Sequence, residues 1–203
     1  MASDTPPRIA AAILAGGLAR RMGGANKAGL RIGNERIIDR QLRILRQVAE
    51  PVFIVAGVAE PFQELQVRVV PDIVAGAGPL GGIYTALTAS PCDRTLIVAC
   101  DLPYLSAPLL ERLAAPSNAD LTIPRSERGY EPLCATWSAA CGGPIWRRIQ
   151  SGTLKTALVM EELRVEEIGP EVLASCDPHG LLFVNNNTPH DYERARRLGL
   201  MES

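Results

Sequence analysis

With 203 residues, 47% of them hydrophobic and 21% charged, the chain is long enough to bury roughly 70% of its unfolded surface, and one compact domain is the default expectation. A formal net charge of -1 excludes a global basic field for nucleic acid and a polybasic membrane signal, although residues 1–50 hold nine Lys/Arg against four Asp/Glu, which fits a local anionic ligand near the N-terminal part. Five scattered cysteines without a C-x-x-C pair, and only His179 and His190, argue against a zinc site or a disulfide framework and suit a reducing cytosol.

Residues 1–8 read as a disordered tail. The apolar run from Ile9 to Ala19 is too short for a membrane span, and Asp4, two prolines and the Arg20-Arg21 pair are poor flanks for a signal peptide. A buried first strand over Ile9 to Leu14, opening into a glycine loop, explains it better. Further on, short apolar runs alternate with longer amphipathic ones, the pattern of β-α units. Strands are predicted at Val52 to Ala56, Val67 to Val70, Thr95 to Cys100, Leu121 to Pro124, Leu133 to Trp137, Arg164 to Ile168 and Leu182 to Val184. Helices are predicted at Ile37 to Val48, Leu80 to Ala89, Ala107 to Ala115 behind a Ser106 cap, Gly142 to Ser151, Lys155 to Leu163 and Pro189 to Leu198 behind a Thr188 cap. The stretch from Pro116 to Glu131 is the most irregular and reads as a polar connection. The expected fold is a single α/β domain over residues 9–198, with a mostly parallel twisted sheet, helices on both faces and a short tail at 199–203.

In such sheets ligands collect at the carboxyl ends of the parallel strands, so the residues just after each strand carry the functional reading. After the first strand, Leu14-Ala15-Gly16-Gly17 leads to Arg20-Arg21-Met22-Gly23-Gly24-Ala25-Asn26-Lys27. Paired glycines allow close backbone approach, and three cations in one loop offset the charge of a triphosphate. Lys27 is preceded by Asn26 and followed by Ala28, so this is not a Walker A loop. The alternative for Arg21 and Lys27 is a solvated surface loop.

Pro71-Asp72 precedes Gly76-Ala77-Gly78-Pro79-Leu80-Gly81-Gly82, which contains a formal G-x-G-x-x-G with Asp101 about twenty residues on. As a dinucleotide fingerprint it is poor, because Pro79 removes an N–H where a pyrophosphate needs one and the basic first loop is left without a role. Asp72 is also readable as a plain turn residue. The buried run Thr95 to Cys100 ends in Asp101-Leu102-Pro103, a hard oxygen ligand facing the phosphate loop. This suits Mg²⁺, which binds through one or two carboxylates plus substrate phosphates. Before the last helix, Asn185-Asn186-Asn187-Thr188-Pro189 is compatible equally with turn capping and with ligand contact.

L-A-G-G-x-x-x-R-M-G-G-x-x-K after a first strand, with C-D-x-P at Cys100 to Pro103, resembles the nucleotide-diphospho-sugar transferase-type pyrophosphorylases, and within them the molybdenum cofactor guanylyltransferases. The resemblance runs from Ile9 to about Leu198. It implies a cytoplasmic, Mg²⁺-dependent nucleotidyltransferase that joins GMP from GTP to the terminal phosphate of molybdopterin and releases pyrophosphate. It further implies that Leu14, Ala15, Gly16 and Gly17 line the base side, that Arg21 and Lys27 act on the triphosphate, that Asp72 contacts the nucleotide and that Asp101 holds the metal. On the pterin side it implies Gly24, Gly78, Pro79, Leu80, Gly82, Lys155, Asn185 and Asn187. Substrates would be GTP and molybdopterin, with room for molybdoenzyme chaperones or other cofactor-biosynthesis proteins as partners and no nucleic acid or membrane. One departure is Val55-Ala56-Gly57, where members often carry an asparagine. Rival readings are a cytidylyl- or other nucleotidyltransferase on the same scaffold, a dinucleotide-dependent oxidoreductase and a non-catalytic GTP-binding module.

Overall fold

A computed structural model describes residues 9–15, 31–32, 34–74, 76–177 and 180–184. The predicted helix at Pro189 to Leu198 and both tails lie outside these residues. The sheet is built on β1 (Ile9–Leu14), a strand buried along its whole length. Its neighbours are β4 (Val52–Ala56) and β6 (Arg94–Ala99), both parallel to it, with Leu14 opposite Val55 on one side and Ala99 on the other. β5 (Arg68–Pro71) extends the parallel arrangement beyond β4. Beyond β6 lie β9 (Cys134–Ser138), β7 (Leu121–Ser126) and β10 (Val165–Ile168), so the order is β10-β7-β9-β6-β1-β4-β5. β9 runs antiparallel to both its neighbours, while β10 runs parallel to β7. The expected mostly parallel sheet is thus what the described residues form, with β9 as an antiparallel strand within it.

Helices cover both faces, and alternation along β1 assigns them. Ile9, Ala11 and Ile13 point into a core shared with α1 (Ile37–Leu45), α3 (Ala107–Ala114) and α6 (Pro170–Cys176). Ala10, Ala12 and Leu14 point to the opposite core, with α2 (Gly78–Ala89), α4 (Gly142–Gln150) and α5 (Thr156–Met160). The alanines of β1 let both helical layers approach the central strand closely. Helix α3 starts as predicted, with the Ser106 hydroxyl accepting from Leu109 N–H at 3.4 Å.

Several expectations need correction. Leu182 to Val184 is a turn: the Asp177 carboxylate accepts from Leu181 and Leu182 N–H, both at 2.8 Å, and Val184 N–H closes on Leu181 O, so these amides are spent locally rather than on a ladder. α6 falls in a stretch where no element is predicted, yet Pro170 at its first turn and Glu171 beside it are ordinary start signals. The helix predicted at Lys155 to Leu163 stops at Met160. Within the irregular stretch, β7 continues to Ser126 and turns back through β8 (Gly129–Tyr130), with Gly129 at φ 114°. A two-stranded ribbon of β2 (Arg31–Ile32) and β3 (Glu35–Arg36), antiparallel, leads directly into α1.

Candidate active site at the carboxyl edge of the sheet

The chain passes from β1 outward through β4 and β5, then returns to the other side of β1 as β6. The connections after β1 and β6 therefore lead away from each other along the sheet, to β4 and to β7, and the carboxyl ends of these two strands border the crevice where open α/β sheets take their ligands. Leu14 and Asp101 stand at that crevice. Cys100 N–H donates to Leu14 O at 3.1 Å, and Ala15 N–H donates to Val55 O at 2.8 Å, so the exits of β1 and β6 are tied together and the glycine loop begins between β4 and β6.

The loop itself, with Gly16, Gly17, Arg21, Gly24 and Lys27, lies outside the described residues, as do Asn185 and Asn187. Among the predicted residues that are described, Leu14, Ala15 and Asp101 come together. Asp101 is half-buried at a corner that follows the last strand residue by two. Its donor type, a single hard carboxylate beside a loop of phosphate-binding composition, fits a divalent ion completed by substrate oxygens. No group of three or more His, Cys, Asp or Glu that could hold a metal occurs among the described residues, so no protein-only cage competes with that arrangement there.

Asp72 follows β5, and three strand spacings, about 14 Å of sheet, separate its strand from that of Asp101. Its Oδ1 accepts from Val74 N–H at 3.1 Å and from the Thr85 hydroxyl at 2.9 Å, while Thr85 Oγ1 also accepts from Ile73 N–H at 3.2 Å. The carboxylate thereby pins the Asp72–Val74 turn to helix α2. Gly76 and Gly78 take the left-handed φ values of 84° and 58° that the approach to this helix requires, and Pro79 occupies its first turn, where no N–H is missed. Gly81 and Gly82 serve close packing instead: a Cβ on Gly81 would sit 2.7 Å from Val74 O, and one on Gly82 3.0 Å from Leu14 Cδ1. The formal dinucleotide motif thus starts five residues after the end of β5 and finishes inside a packed helix. Gly78 and Pro79 are exposed at the carboxyl edge, whereas Leu80 is wholly buried behind them.

Lys155 is exposed and occupies the N-cap position of α5 without a side-chain hydrogen bond to the helix. Because β9 is antiparallel to β6, the residues leading into β9 lie at the carboxyl edge of the sheet. On the same edge, Leu133 O accepts from Ala99 N–H at 2.8 Å, and Glu131 precedes it. Glu131 accepts from the Ser126 hydroxyl at 2.7 Å, and burial pushes its carboxyl above the usual range. Burial likewise pushes the thiols of Cys134 and Cys141 up to about 12 and about 11, which leaves both chemically inert at neutral pH.

Sequence reasoning missed Gln41 and Thr85. Gln41 is fully buried on the core face of α1, and its Nε2 donates to Ala99 O and to Leu102 O, each at 2.9 Å. A signal existed: Ile37, Ile38, Leu42 and Leu45 set an apolar stripe in which Gln41 is the polar exception.

Residues 11–160 match the model of the MobA-like NTP transferase domain. A protein of Pelotomaculum thermopropionicum named "Probable molybdenum cofactor guanylyltransferase" is 37% identical over 185 residues, covering 91% of this chain and 90% of its own. Among solved structures, molybdopterin-guanine dinucleotide biosynthesis protein A from Archaeoglobus fulgidus superimposes with a TM-score of 0.79 at 25% identity, over 95% of this chain and 99% of that one. The 2-C-methyl-D-erythritol 4-phosphate cytidylyltransferase from Thermus thermophilus shares the fold at a TM-score of 0.68 and 15% identity, over 93% and 98% of the two chains.

Proposed function

Because the chain belongs to the MobA-like NTP transferase family, and within it to the molybdenum cofactor guanylyltransferases, we propose that it transfers GMP from GTP to the terminal phosphate of molybdopterin. An oxygen of the acceptor phosphate attacks the α-phosphorus of GTP, the bond to the bridging oxygen breaks, and pyrophosphate leaves. The single observation that carries this reading is the crevice between β1 and β6, where the start of the glycine loop and the Asp101 corner are hydrogen-bonded to each other.

In this reading the chain acts as one domain over residues 9–198 and supplies position and charge rather than covalent chemistry. Leu14, Ala15, Gly16 and Gly17 line the base side. Arg21 and Lys27 neutralise the triphosphate and the departing pyrophosphate, and Asp72 sets the turn against which the nucleotide lies. Gly24, Gly78, Pro79, Gly82, Lys155, Asn185 and Asn187 border the pterin, with Leu80 supporting that wall from behind. Asp101 would hold Mg²⁺, which when bound offsets phosphate charge. The reaction consumes cytosolic nucleotide, and among the described residues no helix is long and apolar enough to cross a membrane.

The test is a transfer assay with purified protein, molybdopterin, Mg²⁺ and each of four NTPs in turn, read as pyrophosphate release and product mass. GTP should be used in preference to CTP and ATP. Equal or faster turnover with CTP would move the chain to the cytidylyl reading, for which the shared fold leaves room. Product formation without added divalent ion would remove the metal from the scheme.

A further inference from the structure

The connection after β6 has a device that the first-loop and strand-end motifs do not include. The chain turns at Cys100 and Asp101, and the carbonyls on either side of that corner, Ala99 O and Leu102 O, both accept from the single nitrogen Nε2 of Gln41, each at 2.9 Å. The corner's own closing bond, Leu102 N–H to Ala99 O, is long at 3.4 Å. The side-chain amide therefore provides the shorter ties. Gln41 comes from a different element, α1, and is 58 and 61 residues away in sequence. Because both acceptors are carbonyls, the nitrogen must face them and the amide orientation is fixed.

Nothing about packing calls for an amide here. Gln41 stands at 0% exposure in an apolar helix face, and its Oε1 is buried without a hydrogen-bond partner. An apolar side chain of the same length would fill the space and remove the unpartnered Oε1. What it would lose is the donor that spans the corner. We infer that Gln41 is a positioning residue for nucleotidyl transfer: its buried amide clamps Ala99 and Leu102 so that the Asp101 carboxylate is presented at a fixed place beside the exit of β1. This rests on the assignment of Asp101 as the metal-holding residue in the proposed function. It deepens that assignment by naming what holds the carboxylate still. A misplacement of a fraction of an ångström in such a group is enough to reduce turnover by an order of magnitude or more.

The experiment is a double-mutant cycle on the full chain with Gln41→Met and Asp101→Asn, assayed for transfer as a function of Mg²⁺ and of GTP. Gln41→Met keeps length and burial but takes the donor from the Ala99 and Leu102 carbonyls, so the protein should stay folded with a melting temperature lower by only a few degrees. Its kcat should fall about tenfold and the Mg²⁺ concentration for half-maximal activity should rise about tenfold, with KM for GTP changing about twofold or less. Added to Asp101→Asn, the methionine should cost less than about a further twofold, since it acts through a carboxylate already lost. Gln41→Glu, which turns the donor into a third acceptor facing two carbonyls, should lose more activity than Gln41→Met. Gln41→Leu is the second apolar variant should the methionine chain be unstable. A Gln41→Met protein with normal Mg²⁺ activation, or with losses additive to those of Asp101→Asn, overturns the positioning role. Variants that all unfold would assign the amide to stability alone and overturn it equally. If Asp101→Asn by itself leaves Mg²⁺ activation unchanged, the metal assignment fails first, whatever Gln41 does, and the inference falls with it.

Discussion

Gly81→Ala isolates the contact between helix α2 and the turn that carries Asp72. The new Cβ would lie 2.7 Å from Val74 O and 3.1 Å from Ala77 Cβ. Carbon and carbonyl oxygen are comfortable at about 3.3 Å, so the Val74 carbonyl has to withdraw by roughly 0.6 Å. It is poorly placed to do so. Val74 N–H is held by Asp72 Oδ1, and that carboxylate is held by Thr85 one helical turn further along α2. Overpacking of this kind costs about 1–3 kcal/mol, while replacing glycine by alanine inside a helix returns up to about 1 kcal/mol. A net loss of about 1 kcal/mol corresponds to a melting temperature lower by about 2–4 °C for a chain of this size. Because the displaced carbonyl belongs to the Asp72 turn, GTP affinity measured by calorimetry should fall as well. Gly82→Ala is the internal control: its Cβ meets only the end of the Leu14 side chain, at 3.0 Å, which can rotate. The helix gain then leaves stability within about 1 kcal/mol of the wild type. A Gly81→Ala protein that is more stable than the wild type, with unchanged GTP binding, would refute the reasoning by showing that the Val74 turn yields freely.

Lys27→Ala should weaken GTP binding and slow transfer at an unchanged melting temperature, since a loop cation on phosphate contributes little to folding; unaltered kinetics would return Lys27 to a solvated surface loop. Asp120 is held down to about 2 by its paired hydrogen bonds with the Arg164 guanidinium, at 2.8 and 3.0 Å, and by the Arg164 backbone N–H at 3.0 Å. A depressed carboxyl stabilises the fold above its unfolded value near 3.8 and loses that contribution as pH falls toward 2. Asp120→Asn should therefore be less stable than the wild type in urea at pH 7, by about 1 kcal/mol because Arg164 is largely solvated, and the difference should vanish by about pH 2. A difference that persists at pH 2 would place the effect in packing. In native protein at pH 8, iodoacetamide followed by mass spectrometry should mark the half-buried Cys92 and Cys100 well before Cys134 and Cys141; equal labelling of Cys134 would show that its burial is not maintained in solution.

The sequence by itself determined the strands and helices whose signals are local. Ile9 to Leu14 and Val52 to Ala56 coincide with the observed strands to the residue, because a short apolar run bounded by glycine or proline is a property of the run alone. It also placed Asp101 just past a buried strand and three cations in one glycine loop, and these motifs carried the family resemblance. Asp177 escaped local reading because its carboxylate satisfies the Leu181 and Leu182 amides, which converts an apparent strand into a turn. Hydropathy does not register where a backbone hydrogen bond goes. Only the tertiary structure decided that β9 enters the sheet antiparallel, that β1 and β6 flank the crevice, and that Gln41, on a helix far upstream, spans the corner that carries Asp101. The reason is that strand order and side-chain clamps are settled by pairing and burial between segments tens of residues apart. A polar residue in an apolar helix face shows only that a partner is required, and the fold supplies which one.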